Sequence, residues 1–172
     1  YEWQVGEQVQ YNVLVENKRE GTIARNVTIW DTQMPAGLAL VSAEDVSVSG
    51  IPQTITQPVA GTEDVPNQLN PEFYNETSEK PVNYEFLQEG SGWRLNISDL
   101  PAYTPVMISF LCTVTEEADG MESINVANVQ AQNAPAAQDD AEVYVNTAVL
   151  SVEKTFQNPY LAAGDGRAEN EF

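Results

Sequence analysis

Asp31 is the residue of this sequence whose position most needs a chemical explanation. In the stretch NVTIWDTQMPAG, counting by twos from Val27 through Ile29 arrives at Asp31, and alternate residues of a β-strand point to the same face. A carboxylate that faces a core needs a reason to be there. Two interpretations are open: the side chain caps the turn that leads to Pro35, or it is a working acid held where water is scarce.

The composition excludes several classes of protein that use such an acid. The chain has 172 residues, 7 Lys and Arg against 26 Asp and Glu, a formal net charge of −19, no His and one Cys. The negative field repels nucleic acid and anionic membranes. Without His or a second Cys, Ser-His-Asp and Cys-His catalysis, Cys/His zinc sites and intrachain disulfides are excluded. An exported protein that forms no disulfide fits this inventory, and we expect a monomer.

Targeting and anchoring segments are not evident. The sequence contains no signal peptide and no apolar run long enough to span a bilayer, so we expect no membrane insertion by these residues. Any export signal or anchor is expected to lie outside the sequence.

Short alternating segments separated by turns position Asp31 and account for most of the chain. EQVQYNVLVEN places Val9, Tyr11, Val13 and Val15 on one face, and VMISFLCTVT does the same from Val106 to Val114. Further strands are predicted in NVTIWD, GLALVS, EDVSVSG, SINVANVQA and AEVYVNTAVLSVEKTF. No long segment repeats apolar residues at helical spacing. The pattern predicts an all-β, Ig-like β-sandwich.

The middle of the chain has a different character. Residues from about 51 to 81 are rich in Pro, Asn, Gln and Thr and alternate weakly, which predicts an insertion at one end of the sandwich. PVNYEFLQ, the turn EGSG and WRLNIS then predict a hairpin that returns to the sheet. Aromatic residues of this region could contact a glycan or a matrix protein, or could complete the core face of the hairpin; they are Phe73, Tyr74, Tyr84, Phe86 and Trp93.

Three segments carry a family resemblance. VGEQVQY, NVTIWDTQMPAG and INVANVQA resemble, in order, the Val-Gly-Asp-x-Val-x-Tyr, Asn-Val-x-Val-x-Asp-x-Leu-Pro-x-Gly and Asn-x-Ala-x-Val motifs of a repeat found in tandem in large bacterial cell-surface proteins. The sequence departs from that repeat at Glu7, at Gln33-Met34, and at Tyr103-Thr104, where a hinge glycine is usual. The resemblance implies an Ig-like module of an extracellular stalk or adhesin in the cell wall, with neighbouring repeats as partners.

The same resemblance implies how the repeats are divided. Residues 1–147 correspond to one repeat, and residues 148–172 to a linker and the opening strand of the next. The opening strand of the first repeat is therefore expected to lie before Tyr1.

Some relatives of that repeat form intramolecular isopeptide bonds, which gives Asp31 a role. A neutral lysine amine attacks the side-chain carbonyl of Asn or Asp while a neutral acid shuttles protons, and burial favours both neutral forms. The resemblance and strand parity point to Asp31, Asn125 and Lys154: Asn125 shares a face with Ala127, and Lys154 shares one with Leu150, Val152 and Phe156. Each also has an ordinary interpretation, as a turn cap, a loop hydrogen bond and an edge lysine. If the division into repeats is right, Lys154 serves the next repeat and this chain alone forms no bond.

Other chemistry is less supported. Cys112 lies in an apolar row and suits a small buried hydrophobe. ADGMES, QDDAE and AAGDGRAE contain acids near glycine or one another, but none has EF-hand spacing, so we expect no metal or cofactor, with calcium as the alternative.

We expect a structural spacer rather than an enzyme; the alternative is a binding module for a glycan or matrix protein that uses residues 51–92. A two-carboxylate glycosidase is the enzyme class that 26 acids leave open, and it ranks last because the sequence singles out no pair of acids.

Overall fold

The computed structural model describes residues 2–58, 76–146 and 150–155, and these form an all-β sandwich, as the sequence predicts. Its strands, in chain order, are β1 (Gln8–Val15), β2 (Ile23–Asp31), β3 (Leu38–Leu40), β4 (Ser47–Ser49), β5 (Thr54–Pro58), β6 (Thr77–Pro81), β7 (Tyr84–Glu89), β8 (Gly92–Pro101), β9 (Val106–Val114), β10 (Glu122–Ala131) and β11 (Ala134–Tyr144). Two 3₁₀ turns lie at Ala43–Asp45 and Glu116–Ala118. No helix among these residues combines the length and apolar character needed to cross a bilayer.

The strands form two unequal antiparallel sheets and a ribbon. Sheet one has four strands, with β9 paired to β1 on one side and to β3 and β4 on the other. Sheet two has five strands in the order β11-β10-β2-β8-β7. Within the described ranges, β5 and β6 pair only with each other. Because sheet one is narrower, it does not cover the whole inner face of sheet two.

Inward rows of alternating residues build the core. β9 is buried at every second residue from Val106 to Val114, and β8 is buried at Trp93, Leu95 and Ile97. Trp93 meets Phe110 edge to face at 5.5 Å between ring centroids, which joins the two sheets near the middle of the sandwich. Cys112 is fully buried in the β9 row, in the position of a small hydrophobe, as predicted.

The hairpin of β7 and β8 forms as predicted, with Glu89 opposite Gly92 across its turn. The backbone at Tyr103 has a φ of +58°, the left-handed conformation that glycine favours. Tyr103 therefore holds a backbone conformation that is uncommon for a residue with a side chain.

The predicted insertion begins and ends as the β5–β6 ribbon. Ile55 of β5 is only 3% exposed, and Lys80 of β6 contacts Asp99 of β8, Nζ to Oδ1 at 3.1 Å. The ribbon is therefore packed against the sandwich rather than detached from it. Residues 59–75 lie outside the described ranges.

The C-terminal segment differs from its predicted strand. Pairing in β11 begins at Ala134 and ends at Tyr144, followed by isolated bridges from Val145 to Trp3 and to Asp119. Residues 150–155 form no strand, and Leu150 and Val152 are 93% and 94% exposed. The residues alternate as in a strand, but a strand also needs a partner for its backbone groups, and none of the described residues pairs with this segment.

The ribbon leads to a prediction about the insertion. If residues 59–75 lie outside the sandwich, as the sequence predicts, replacing only them with a short Gly-Ser linker should change the free energy of unfolding by less than about 1 kcal/mol, because loop length has a small effect on closure entropy. Replacing residues 51–80 should lower it by about 2–5 kcal/mol, because Ile55 leaves the core. Denaturant titration of both variants measures this, and equal destabilisation would contradict it.

Candidate functional site

A buried carboxylate and a buried amide meet between the sheets. Asn125 Nδ2 donates to Asp31 Oδ2 at 2.6 Å, and the two residues are 5% and 1% exposed. Asp31 is the last residue of β2, in the row of Val27 and Ile29, and Asn125 lies on the inner face of β10. Strand parity in the sequence predicted the inward orientation of both residues.

Local backbone packing fixes the position of Asp31. Asp31 pairs with Trp93 in β8. Gly92, the residue before Trp93, lies directly against the Asp31 backbone. A Cβ at Gly92 would lie 1.8 Å from the Asp31 carbonyl oxygen, far inside contact distance, so only glycine allows the two strands to approach this closely. The hairpin glycine thus holds the acid at the core.

Three polar atoms around the pair have no hydrogen-bond partner within the described part of the chain. They are the hydroxyl of Tyr11, Oδ1 of Asp31 and Oδ1 of Asn125. The Tyr11 ring stacks on Phe110 at 5.4 Å, so the hydroxyl side of the site belongs to sheet one. A buried acceptor without a donor destabilises a fold by about 1–3 kcal/mol, and three together indicate a site suited to a donor group from elsewhere.

The surroundings change the acidity of this site. Burial raises the pKa of Asp31 from its ordinary 3.8 to about 6, and the hydrogen bond from Asn125 opposes this increase only in part. Burial also raises the pKa of Tyr11, helped by the charges of Cys112 and Asp31, and raises that of Cys112 to about 12. Asp31 therefore exchanges a proton near neutral pH, which is what a shuttling acid requires.

An open groove leads to the pair along the edge of the sandwich. We call it the edge groove: it lies between β1, from Tyr11 to Val15, and the inner face of β10 and β11. Three adjoining depressions of about 110, 310 and 690 Å³ make it up, the smallest beside Asn125 and the largest beside Val15 and Val129. Inner-face residues of β11 that border it, Ala137 and Ala141, are exposed.

Lys154 is not brought to the pair. It is exposed, in the segment without secondary structure, whereas Asp31 and Asn125 are buried. Lys18 is exposed as well, in the turn after β1. Among the described lysines, none hydrogen-bonds to the Asp31–Asn125 pair, so the three proposed cross-linking residues are assembled only in part.

A second buried acid, Asp99, was not singled out from the sequence. It is fully buried and its Oδ1 accepts from Arg25 at 2.6 Å and from Lys80 at 3.1 Å. Burial would raise the pKa of Asp99, but the hydrogen bonds from Arg25, Ser98 and Lys80 outweigh it and lower the pKa. The alternation that flagged Asp31 also runs from Trp93 to Asp99 in WRLNISD, so the same rule could have found it.

The aromatic binding set divides into core and surface. Trp93 is fully buried and Phe86 stacks on it at 6.2 Å, so these two complete the hairpin's core face and do not offer a binding surface. Tyr84 is 59% exposed beside a depression of about 400 Å³ that Asn26, Glu85 and Asn96 also line. Phe73 and Tyr74 lie outside the described residues.

Metal ligands are not clustered where the structure describes the chain. In residues 2–58, 76–146 and 150–155, no group of three or more Asp, Glu or Cys side chains is placed to hold an ion. Those ranges include the ADGMES and QDDAE segments. The AAGDGRAE segment lies outside them.

Comparisons with known proteins give distant structural likeness only. No family model and no curated protein matches the sequence. A family 123 glycoside hydrolase from Clostridium perfringens, studied for glycolipid glycan hydrolysis, aligns over 86% of this chain and 22% of its own, with 10% identity and a TM-score of 0.40. AvmM, which catalyses macrocyclization in alchivemycin A biosynthesis, aligns over 88% and 86%, with 12% identity and a TM-score of 0.36.

The raised pKa of Asp31 predicts a pH dependence of stability. Between 3.8 and about 6 the unfolded carboxyl ionises while the folded one stays protonated, so the folded state loses relative stability as pH rises through this window. A shift of about two units corresponds to up to about 3 kcal/mol. Compared with Asp31→Asn, the wild-type free energy of unfolding should fall by up to that amount across the window.

Denaturant titrations of both proteins below pH 3.8 and above pH 6 measure the difference. Asp45→Asn, at an exposed position in the first 3₁₀ turn, controls for the loss of one negative charge. A difference between wild type and Asp31→Asn that stays constant with pH would contradict the prediction.

Proposed function

We propose that this chain is a structural spacer module of a bacterial cell-surface, adhesin-like protein, and that its Asp31–Asn125 pair is the acceptor site of an isopeptide cross-link. The observation that carries the proposal is the buried 2.6 Å hydrogen bond between the two side chains, with unpartnered oxygens on both and an open groove alongside. A site of this form suits a lysine amine, which supplies hydrogen-bond donors for the unpartnered oxygens. The all-β sandwich and the net charge of −19 suit a soluble extracellular stalk.

The chemistry of the cross-link needs only this pair and a lysine. The neutral amine attacks Cγ of Asn125, a C–N bond forms, and the side-chain amide leaves as ammonia. Asp31, protonated, hydrogen-bonds to the amide that is attacked, takes part in moving the amine proton to the leaving group, and ends in the state in which it began. The apolar surroundings favour the neutral amine as well as the neutral acid.

The positions of the buried acids argue against a glycosidase. Asp31 lies at the end of β2, and Asp99 pairs with Arg25 near the start of the same strand. Six residues of strand separate these positions by roughly 20 Å, whereas glycosidase carboxyl pairs lie about 5–10 Å apart. Asp99 is also neutralised by two cations. We therefore propose no hydrolase activity.

Two copies of the chain joined end to end in one polypeptide test the cross-link. Residues 150–156 of the first copy then precede the second copy, as the division into repeats requires. We expect intact-mass measurement to show the loss of one ammonia, because only the second copy has a lysine strand before it.

Copy-specific variants provide the controls for this experiment. Asn125→Ala or Asp31→Ala in the second copy and Lys154→Ala in the first copy should each abolish the loss, while the same changes in the opposite copies should not. Loss of no ammonia, or of two, would contradict the proposed site.

A binding function through Tyr84 is the second candidate, because this side chain is 59% exposed among amide side chains. Aromatic rings beside amides suit contacts with sugars. We expect the spacer to bind neither a glycan array nor a matrix-protein array and to hydrolyse no glycan. Binding that Tyr84→Ala removes and Tyr144→Ala retains would replace the spacer proposal with the binding one.

A further inference from the structure

We propose that the edge groove binds residues 150–155 of a second copy of this chain, as a strand antiparallel to β1, and so links copies head to tail. The inference names the partner of the site described under the proposed function. The docking itself depends only on the shape and chemistry of the groove; the covalent step alone rests on the proposed cross-link.

The outer edge of β1 is free to accept a strand. Its one paired neighbour among the described residues is β9, so its other edge presents backbone N–H and C=O groups without partners. An open edge of this kind takes up an extended segment through main-chain hydrogen bonds. Beneath that edge, the inner face of β11 is uncovered at Ala137, Asp139 and Ala141, while Val143, further along the same row, is buried.

The chemistry of the groove changes along its length. At the Val15 end most of the lining residues are apolar, including Val129 and Ala131, and the charged turn at residues 16–20 also borders it. At the Tyr11 end it holds Asn125 and the acids of β11, Asp139 and Asp140. An occupant that fits must therefore have apolar side chains at one end and a cation at the other, on one face of a strand.

The segment from Leu150 to Thr155 has that pattern. Leu150 and Val152 are almost fully exposed, although their apolar side chains favour burial, and Lys154 follows in the same alternation. Antiparallel pairing that places Leu150 beside Val15 also places Lys154 beside Tyr11, since both rows repeat every two residues. The amine then lies near three buried acceptor atoms, those of Tyr11, Asp31 and Asn125.

The short connection between Asn146 and Leu150 implies that the segment bound in the edge groove comes from a second copy of the chain. Asn146 donates its backbone N–H to Trp3 at 2.9 Å, so the tail leaves the sandwich at the Gln8 end of β1. Four Cα steps from Asn146 to Leu150 span at most ~14 Å, whereas Val15 lies roughly 23 Å beyond Gln8 along the strand. Leu150 of the same chain therefore does not reach the apolar end of its own groove.

The parallel orientation, which the same chain could reach, is a poor fit. With Lys154 beside Tyr11, it would place Val152 and Leu150 toward the Gln8 end. There Val143 and Val145 are already buried, at 3% and 0% exposed. The two apolar side chains would then gain little burial, so this orientation lacks the hydrophobic contribution that favours docking.

Head-to-tail docking has two consequences. Each chain carries one groove and one tail, so association is heterologous and gives open chains of copies rather than a closed dimer. Each copy also has a net charge of −19, so repulsion opposes association and salt should strengthen it. This replaces the expectation of a strict monomer with one of concentration- and salt-dependent oligomers.

Complementary variants test the docking. A tail variant, Leu150→Ser with Val152→Ser, keeps its groove; a groove variant, Ala137→Trp, keeps its tail and fills the groove from an exposed position. Each alone should be monomeric in native mass spectrometry and light scattering at added salt. Their mixture should form 1:1 dimers and nothing larger, because it contains one working groove and one working tail per pair.

Matched controls lie on the opposite faces of the same segments. Ser151→Ala and Ala136→Trp should both retain the wild-type ladder of oligomers. Dimers in the mixture whose mass lacks one ammonia would support docking and the cross-link. Dimers of unchanged mass would support docking and contradict the cross-linking part of the proposed function. Mixtures that stay monomeric at every concentration and salt level, or a monomer that itself loses ammonia, would overturn the second-copy inference.

Discussion

The hydrogen bond between Asn125 and Asp31 is the interaction on which the site depends. A carboxylate and an amide placed between apolar sheets lose water, and one hydrogen bond of 2.6 Å replaces only part of what is lost. The remaining oxygens, with the Tyr11 hydroxyl, keep unmet hydrogen-bonding capacity. That imbalance raises the pKa of the Asp31 carboxyl to about 6 and leaves the site able to accept hydrogen bonds from a donor group. The same loss of hydration therefore makes the buried pair energetically costly to the fold and suits Asp31 to the proposed proton transfer.

Two acids in this fold show how neighbours decide the effect of burial. Asp31 and Asp99 each continue an apolar row and each is almost fully buried. Asp99 has Arg25 and Lys80 within 3.1 Å and stays ionised, so it works as a structural anchor between the ribbon and sheet two. Asp31 accepts its hydrogen bond from the neutral amide of Asn125 and forms no salt bridge within the described ranges, so its proton is held more tightly. A buried acid that is paired with cations stays ionised and serves a structural role, whereas a buried acid without such a partner is suited to proton transfer.

The unequal width of the two sheets explains where the sandwich is open. Four strands face five, so the inner face of β11 extends past the edge of β1. Sandwich cores are closed by side chains from both sheets, and here one side is missing along the Tyr11 to Val15 stretch. The small residues of β11, Ala137 and Ala141, leave room there rather than fill it. An apolar tail from another copy satisfies both the free edge and the uncovered face.

The alternation of apolar residues by itself determined the fold class, the direction of each row and the inward position of Asp31 and Asn125. These follow from the two-residue period of a strand, which is a local property. The hairpin of β7 and β8 was equally local, because its turn residues are adjacent in sequence. Burial of Trp93 depended on which strand covers it, so the same alternation left its role as core or surface open.

Only the tertiary structure decided which strands pair, and therefore which polar groups meet. The contact of Asp31 with Asn125 joins residues 94 positions apart, and the salt bridges of Asp99 join β8 to β2 and β6. The segment around Lys154 shows that alternation alone is not sufficient for a strand. Its residues alternate as in a strand, but within the described structure they pair with no other strand. Sequence patterns encode which face a residue prefers, whereas partners are set by packing across the whole chain.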